Sequence, residues 1–238
     1  MPEKALIIVP CYNEEARLNM EAFKSFSGNY AFLFVNDGST DGTAALITSY
    51  CNERIYLFNM PQNSGKSEAV RQGFIHGLTL PLVAHIEWMG FWDADLATPL
   101  EELDKFFLFR QHFCADAQVI IGSRIRRLGS SVKRTFWRHI LGRVFATVAD
   151  SLFHLKCYDT QCGAKLFHTS IVPQFIAEPF ISQWAFDVEL LTRIKHHKMV
   201  EYPLSDWQDV AGSKLKVSRV AFKVLRDFYL MNKKYNNR

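Results

Sequence analysis

Two carboxylates one residue apart, Asp93 and Asp95, stand at the end of the apolar run 83–92. In a strand, alternate side chains point to the same side. A strand ending in Asp93-Ala94-Asp95 therefore aims both carboxylates at one spot past the carboxyl edge of a sheet, where open α/β sheets bind ligands. Two hard oxygen donors there suit Mg²⁺ or Mn²⁺ held against a diphosphate. Taken alone, an Asp-x-Asp pair is more often two solvated loop aspartates. A second pair of acids, Asp187 and Glu189, lies among the aromatic and aliphatic residues of 184–191. Acids in such surroundings need a partner, and a helix cap or a structural ion pair would serve each of them as well as a catalytic role.

The rest of the charge is unevenly spread. The 238 residues carry a formal net charge of +4, with 48% hydrophobic and 22% charged residues. That suits one globular domain, and so mild a basic excess does not imply nucleic acid. Residues 117–149 hold no acid but include Arg124, Arg126, Arg127, Lys133, Arg134, Arg138 and Arg143. From residue 213 onward Asp227 is the lone acid among eight lysines and arginines, Lys214 the first. Such blocks are either solvated faces or sites for an anionic partner. The five cysteines form no CxxC pair, which argues against zinc or thioredoxin-type chemistry. No signal peptide is evident, and no run of 18 or more apolar residues spans a bilayer. These features lead to the expectation of a cytoplasmic protein.

The elements that must position these residues alternate between strand and helix. Strands are expected at 5–9, 30–35, 55–58, 83–92 and 118–121. Helices are expected from the acids at 14–15 to about 26, over 41–51 and 67–76, and from Pro99, capped by Thr98, to about 112. This alternation is the signature of βαβ units around a mostly parallel sheet. At 100° per residue, 135–153 places Phe136, Trp137, Ile140, Leu141, Val144, Phe145, Val148 and Leu152 on one half of a helix. It is either an ordinary core helix or a basic amphipathic helix in a membrane interface. A second amphipathic helix is expected over 218–231, with Val220, Val224, Leu225 and Phe228 on its apolar side.

Four stretches in order, Pro10-Cys11-Tyr12-Asn13-Glu14, Asn36-Asp37-Gly38-Ser39-Thr40-Asp41, Asn63-Ser64-Gly65-Lys66 and Asp93-Ala94-Asp95, resemble the nucleotide-sugar domain of family 2 inverting glycosyltransferases, which have the GT-A fold. The second half is similar to the dolichyl-phosphate β-glucosyltransferase branch, through Asp93-Ala94-Asp95-Leu96-Ala97-Thr98-Pro99, Gly122-Ser123-Arg124, residues 159–167, residues 184–190 and Gly212-Ser213-Lys214-Leu215. Polyprenyl-phosphate mannosyltransferases come next; they often carry Gln where this chain has Ala97. Eukaryotic members of the glucosyl branch carry an N-terminal membrane anchor that this sequence does not show.

The resemblance implies a single α/β domain over 1–238. Residues 1–125 would bind the nucleotide sugar, and 126–238 the acceptor and the membrane. It implies a UDP-sugar donor held by Pro10, Tyr12, Glu14, Asp37, Gly65, Lys66, Asp93 and Ala94. Glu14 and Asp37 would meet ribose and uracil. Asp93 and Asp95 would hold Mg²⁺ or Mn²⁺, Asp95 being the surer ligand and, with Asp187, a catalytic residue. Arg124 and Arg138, then Arg134 and Lys214, would bind the phosphate of a polyprenyl (dolichyl-type) acceptor. The protein would sit peripherally on the inner face of a membrane, with a membrane-protein partner in reserve for the missing anchor. Two rival readings are a family 2 enzyme glycosylating a sugar hydroxyl, for which Asp187 would be the base, and a non-catalytic nucleotide-binding membrane adaptor on the same fold.

Overall fold

The computed structural model describes residues 4–133, 136–208 and 217–235, the side chains of 136–139, 141 and 217–222 excepted. Arg134 and Lys214 lie outside the described residues, as does the side chain of Arg138.

A seven-stranded sheet runs through the molecule in the order β3-β2-β1-β4-β7-β5-β8. Its strands are β1 (Ala5–Cys11), β2 (Tyr30–Asn36), β3 (Ile55–Asn59), β4 (Trp88–Trp92), β5 (Val119–Ser123), β7 (Ala164–His168) and β8 (Met199–Pro203). All pairings are parallel except those of β7, which runs antiparallel between β4 and β5. Two short strands, β6 (Ser131–Lys133) and β9 (Asp206–Gln208), pair separately. The helices are α1 (Met20–Ser25), α2 (Thr43–Thr48), α3 (Lys66–Gly77), α4 (Glu102–Phe113), α5 (Phe136–Phe153), α6 (Val172–Ile176), α7 (Phe186–Arg193) and α8 (Val217–Tyr235).

The unbroken apolar run of β1 follows from burial on both faces. Ala5, Ile7 and Val9 pack with Phe23, Phe32, Phe34 and Trp88 on one side, while Leu6 and Ile8 pack with Leu33, Val35, Phe74 and Met89 on the other. Each of the valine, leucine, isoleucine, phenylalanine and methionine side chains among them contributes about 1.5–3 kcal/mol when fully buried. The two layers fix the register of the central strands, and with it where each strand ends.

Three element boundaries differ from expectation. Residues 81–85 form a 3₁₀ turn led by Pro81, so β4 begins only at Trp88. The chain after β1 does not enter a helix at Glu14. Arg17 and Leu18 donate their N–H groups to the Glu14 carbonyl in a local turn, and α1 starts after Asn19, whose side chain accepts from Ala22 N–H. Helix α4 begins at Glu102 rather than Pro99, because Thr98 is buried and its carbonyl accepts the Trp92 indole N–H at 2.7 Å.

Helices α5, α7 and α8 share a third core of Ala149, Phe153, Val188, Val224, Phe228 and Met231. Phe145 meets Trp184 and Phe228 edge-on or tilted, at 5.2 and 5.3 Å between ring centroids. The core takes only part of each apolar face. Ile140 and Val144 of α5 are exposed, and Leu225, Tyr229 and Leu230 of α8 point outward beside Arg226 and Lys233. Leu225 was expected beside Val224, but one residue turns the helix by 100° and carries it off the core stripe. Among the described residues, no helix is long and apolar enough to cross a membrane.

Candidate active site

Strands β2, β1 and β4 are neighbours and parallel, so the loops after Asn36, Cys11 and Trp92 gather at one sheet edge. The first two loops are laced together. Asn13 takes a left-handed backbone (φ 51°). Its side chain accepts from Thr40 N–H at 2.9 Å and its own N–H donates to Ser39 Oγ at 3.0 Å. Glu14 N–H donates to Thr43 Oγ1 at 2.8 Å. The Glu14 carboxylate accepts from Arg17 at 2.6 Å through Oε1, while Oε2 is buried with no partner. A buried acceptor left open is costly, and a ligand hydroxyl would satisfy it. Pro10 is half-buried where β1 pairs with Val35, and Tyr12 is exposed.

Asp37 is buried, and its two oxygens accept the N–H groups of Ser64 and Gly65 at 2.7 and 2.8 Å. Burial pushes its carboxyl up, against those two bonds, and nearby Glu68 adds to the rise. The Asp37 side chain thus builds the 63–65 loop that leads into α3. Gly65, at φ 90°, occupies a backbone region that favours glycine. It delivers Lys66, whose ammonium is ion-paired with Asp93 Oδ1.

Asp93 and Asp95 follow β4, with the buried Ala94 between them. Asp93 N–H donates to the Gly163 carbonyl at 3.1 Å. A Cβ on Gly163 would stand 1.9 Å from Asp93 Oδ2, so only glycine fits against this carboxylate. Asp95 is exposed, and its Oδ1 accepts Ala97 N–H at 3.0 Å. The intervening Leu96 is left-handed at φ 52°. Loss of solvent, then the like charge of Asp93, raises the Asp95 carboxyl, opposed by the Ala97 N–H, Lys66 and Arg17. Burial works against the charge of Lys66, but Asp93, Asp187 and Asp95 outweigh it and raise its pKa. Among the described residues no three His, Cys, Asp or Glu side chains assemble into a cage. A pair of carboxylates fits Mg²⁺ or Mn²⁺, since Mg²⁺ usually takes one or two carboxylates and completes its shell from substrate phosphates and water.

Two residues expected at the reacting end are each held in a buried ion pair. Asp187, at the start of α7, is buried and accepts from Lys165 Nζ at 2.5 Å. Arg124, just after β5, donates to Asp159 through Nε at 2.6 Å and through a second nitrogen at 2.7 Å, and lies 5.5 Å over the Trp207 ring. Its pKa is raised: burial opposes the charge, but Asp159 outweighs it. This bidentate pair pins the 159–163 loop to the end of β5. Glu201 of β8 fastens the same loop by accepting the N–H groups of Tyr158 and Asp159. Glu189 accepts from Arg193, Tyr235 and Ile181 N–H, tying α7 to α8.

Sequence reasoning missed Gly163, Asp159 and Lys165 as site-building residues. The available signal was a lysine in the otherwise apolar strand Ala164-Lys165-Leu166-Phe167. Cys162 stands between them, buried, and burial pushes its thiol up to about 12, Arg124 opposing and Asp159 adding. All five cysteines are free. A maleimide applied to the native protein near neutral pH is expected to modify exposed Cys51 and to reach Cys162 and Cys11 only after denaturation, as read by intact mass. Native labelling of Cys162 would contradict the packing of this loop.

Acidic residues at the end of a central parallel strand thus face a glycine-lysine helix start beside two laced loops. A family model described as glycosyl transferase family 2 matches residues 6–174, and the chain belongs to that family. A dolichyl-phosphate β-glucosyltransferase of Trichomonas vaginalis is 31% identical over 249 residues, covering 94% of this chain and 73% of the relative. That of Saccharomyces cerevisiae is 28% identical, covering 96% and 74%. Among solved structures, glucosyl-3-phosphoglycerate synthase from Mycobacterium tuberculosis, in complex with Mn²⁺, uridine diphosphate and phosphoglyceric acid, superposes with a TM-score of 0.69. It is 14% identical, with 97% of this chain and 78% of that chain covered. At that identity the likeness concerns the GT-A fold.

Proposed function

We propose that this chain transfers glucose from UDP-glucose to a dolichyl-type polyprenyl phosphate at a membrane surface, with inversion at the anomeric carbon. The observation that carries the reading is the strand-end site itself. Asp93 and Asp95 stand past β4, Lys66 pairs with Asp93, and a buried Glu14 oxygen in the loop after β1 is left without a partner. Relatives about 30% identical across most of the chain carry the dolichyl-phosphate glucosyltransferase name, which supports this donor and acceptor.

Glu14 would accept a ribose hydroxyl, with Pro10, Tyr12 and the Asp37-built loop shaping the base pocket. Lys66 would exchange Asp93 for the donor's diphosphate. A divalent cation held by Asp93 and Asp95 would neutralise charge developing on the departing diphosphate. The acceptor needs little from the protein in proton transfer. A phosphate monoester carries roughly −1.5 to −2 at neutral pH, so its oxygen arrives as a nucleophile. The engagement of Asp187 by Lys165 is consistent with chemistry that requires no base. The basic residues Arg134, Arg138 and Lys214 remain the candidates for the acceptor phosphate, while Arg124 braces the 159–163 loop.

Membrane association would use the outward residues of α8 and α5. Leu225, Tyr229 and Leu230 alternate with Arg226 and Lys233, an apolar-plus-cationic surface that suits anionic lipid. The protein would then be peripheral on the cytoplasmic face, alone or with a membrane-protein partner. Calorimetric titration tests the donor: UDP-glucose should bind with Mn²⁺ or Mg²⁺ present and much more weakly in chelator. Preference for GDP-mannose, or no binding of either, would overturn the assignment.

A further inference from the structure

Arg143 and Thr160 take no part in the site described above, yet both line a narrow cleft between α5 and residues 158–161. Thr160 is buried, and its Oγ1 has no hydrogen-bond partner. A buried hydroxyl left unpaired is costly unless a ligand fills the place beside it. The loop is braced so that the hydroxyl stays there. Glu201 accepts the N–H groups of Tyr158 and Asp159, and Arg124 grips the Asp159 carboxylate. Arg143 is half-buried; its Nη1 donates to the Tyr158 carbonyl at 2.8 Å, and its guanidinium lies 3.8 Å over the Tyr158 ring. Asp159 also lines the cleft, but both of its oxygens accept from Arg124. Among the described residues, therefore, the charge of Arg143 meets a carbonyl and a ring, and no carboxylate pairs with it. The cleft has room for about one water-sized group, which is also the size of a single phosphate oxygen.

We infer that this cleft receives an oxygen of the acceptor's phosphate, with Thr160 Oγ1 donating to it and the Arg143 guanidinium balancing its charge. The inference rests on the lipid-phosphate reading above and adds two residues to it. A guanidinium carries several N–H donors in a fixed fork, so one stays on Tyr158 while others take a phosphate oxygen. Water would fit the space and satisfy the hydroxyl, but it would leave the charge of Arg143 unanswered. The placement suits an acceptor. Gly163, which packs against the Asp93 carboxylate, is three residues beyond Thr160, a span of at most about 11 Å. On α5, Ile140 and Val144 are exposed, three residues before Arg143 and one after it. Residues three or four apart share a helix face, so an exposed aliphatic track begins where the cation of the cleft sits. A phosphate with a prenyl tail matches both parts, whereas a free anion would use only the first.

The test is calorimetric titration of the full chain, with uridine diphosphate and Mn²⁺ present, against a short α-saturated polyprenyl phosphate. Thr160→Val keeps the shape and removes the hydroxyl; it should weaken binding about fivefold and leave the thermal midpoint unchanged or higher. Thr160→Ser keeps the hydroxyl and should bind within about twofold of wild type. Arg143→Gln should weaken binding about tenfold, with affinity for uridine diphosphate unmoved. If Arg143→Gln fails to fold, the two Thr160 variants carry the test. Inorganic phosphate should bind far more weakly than the lipid phosphate, and free polyprenol not at all. A Thr160→Val protein that binds the lipid phosphate as wild type does, or that loses affinity for uridine diphosphate in step, overturns the inference. So does inorganic phosphate binding as tightly as the lipid phosphate, or variants that lose only their binding to phosphatidylserine vesicles, which would make the cleft a headgroup site. A wild type that binds the lipid phosphate but transfers no glucose to it would overturn the proposed reaction and leave the cleft assigned. One that binds no phosphate monoester overturns the cleft.

Discussion

Asp95→Ala is expected to lower glucose transfer about 10²–10³-fold, roughly 3–4 kcal/mol of transition-state stabilisation. The effect would be large because, in the proposed reaction, the departing group is a diphosphate and the strand-end carboxylates would hold the cation that neutralises it. Lys66 cannot substitute, since one ammonium meets a charge that a divalent cation and Lys66 would share. The fold should be untouched. Asp95 is exposed, and its side chain accepts a local hydrogen bond from Ala97 N–H. Initial rates at saturating donor and Mn²⁺, with thermal unfolding of both proteins as a control, measure this. A stable variant with unchanged rate would remove the metal role from Asp95.

Asp159→Ala should be the most destabilising single change in the site, by about 3–5 kcal/mol. Asp159 accepts from Arg124 at its backbone N–H and at two guanidinium nitrogens, at 3.1, 2.6 and 2.7 Å. Both side chains are largely buried, at 15% and 7% exposure, so truncating the acid strands a guanidinium away from water. Against a total of about 5–15 kcal/mol, that is a large fraction. Urea denaturation gives the difference directly. The pair itself need not add net stability, because desolvation offsets much of its attraction. Replacing both partners, as Arg124→Met with Asp159→Leu, should therefore recover part of the loss. A single-variant effect below about 1 kcal/mol would show that water reaches the guanidinium freely.

How much of this was legible beforehand depends on the kind of signal. The runs that became β1 and β2 were readable because two-sided burial leaves continuous apolar stretches. The place of Asp93-Ala94-Asp95 at the sheet edge was readable from the end of its strand, but β4 stops at Trp92 and the two acids lie in the turn after it, off the strand's alternation. Residues 83–87 were misread because periodicity cannot distinguish a buried strand from an apolar turn, and Pro81 was the clue to a turn. The partners of Arg124 and Asp187 were out of reach. Asp159 is 35 positions from Arg124 and Lys165 is 22 from Asp187. Both pairings depend on β7 running antiparallel between β4 and β5, a crossover that no local pattern announces. Arg124 and Asp187, which read as available for chemistry, are each held in a buried ion pair.

The most direct measurement is transfer of radiolabelled glucose from UDP-glucose to dolichyl phosphate in detergent or anionic vesicles, followed by organic extraction. Label should enter the organic phase only with the lipid phosphate and a divalent cation present, and should fall to background in chelator. Free polyprenol, which offers a hydroxyl in place of the charged oxygen, should accept none. Label that stays aqueous with every polyprenyl phosphate, or that reaches a sugar-hydroxyl acceptor instead, would contradict the assignment.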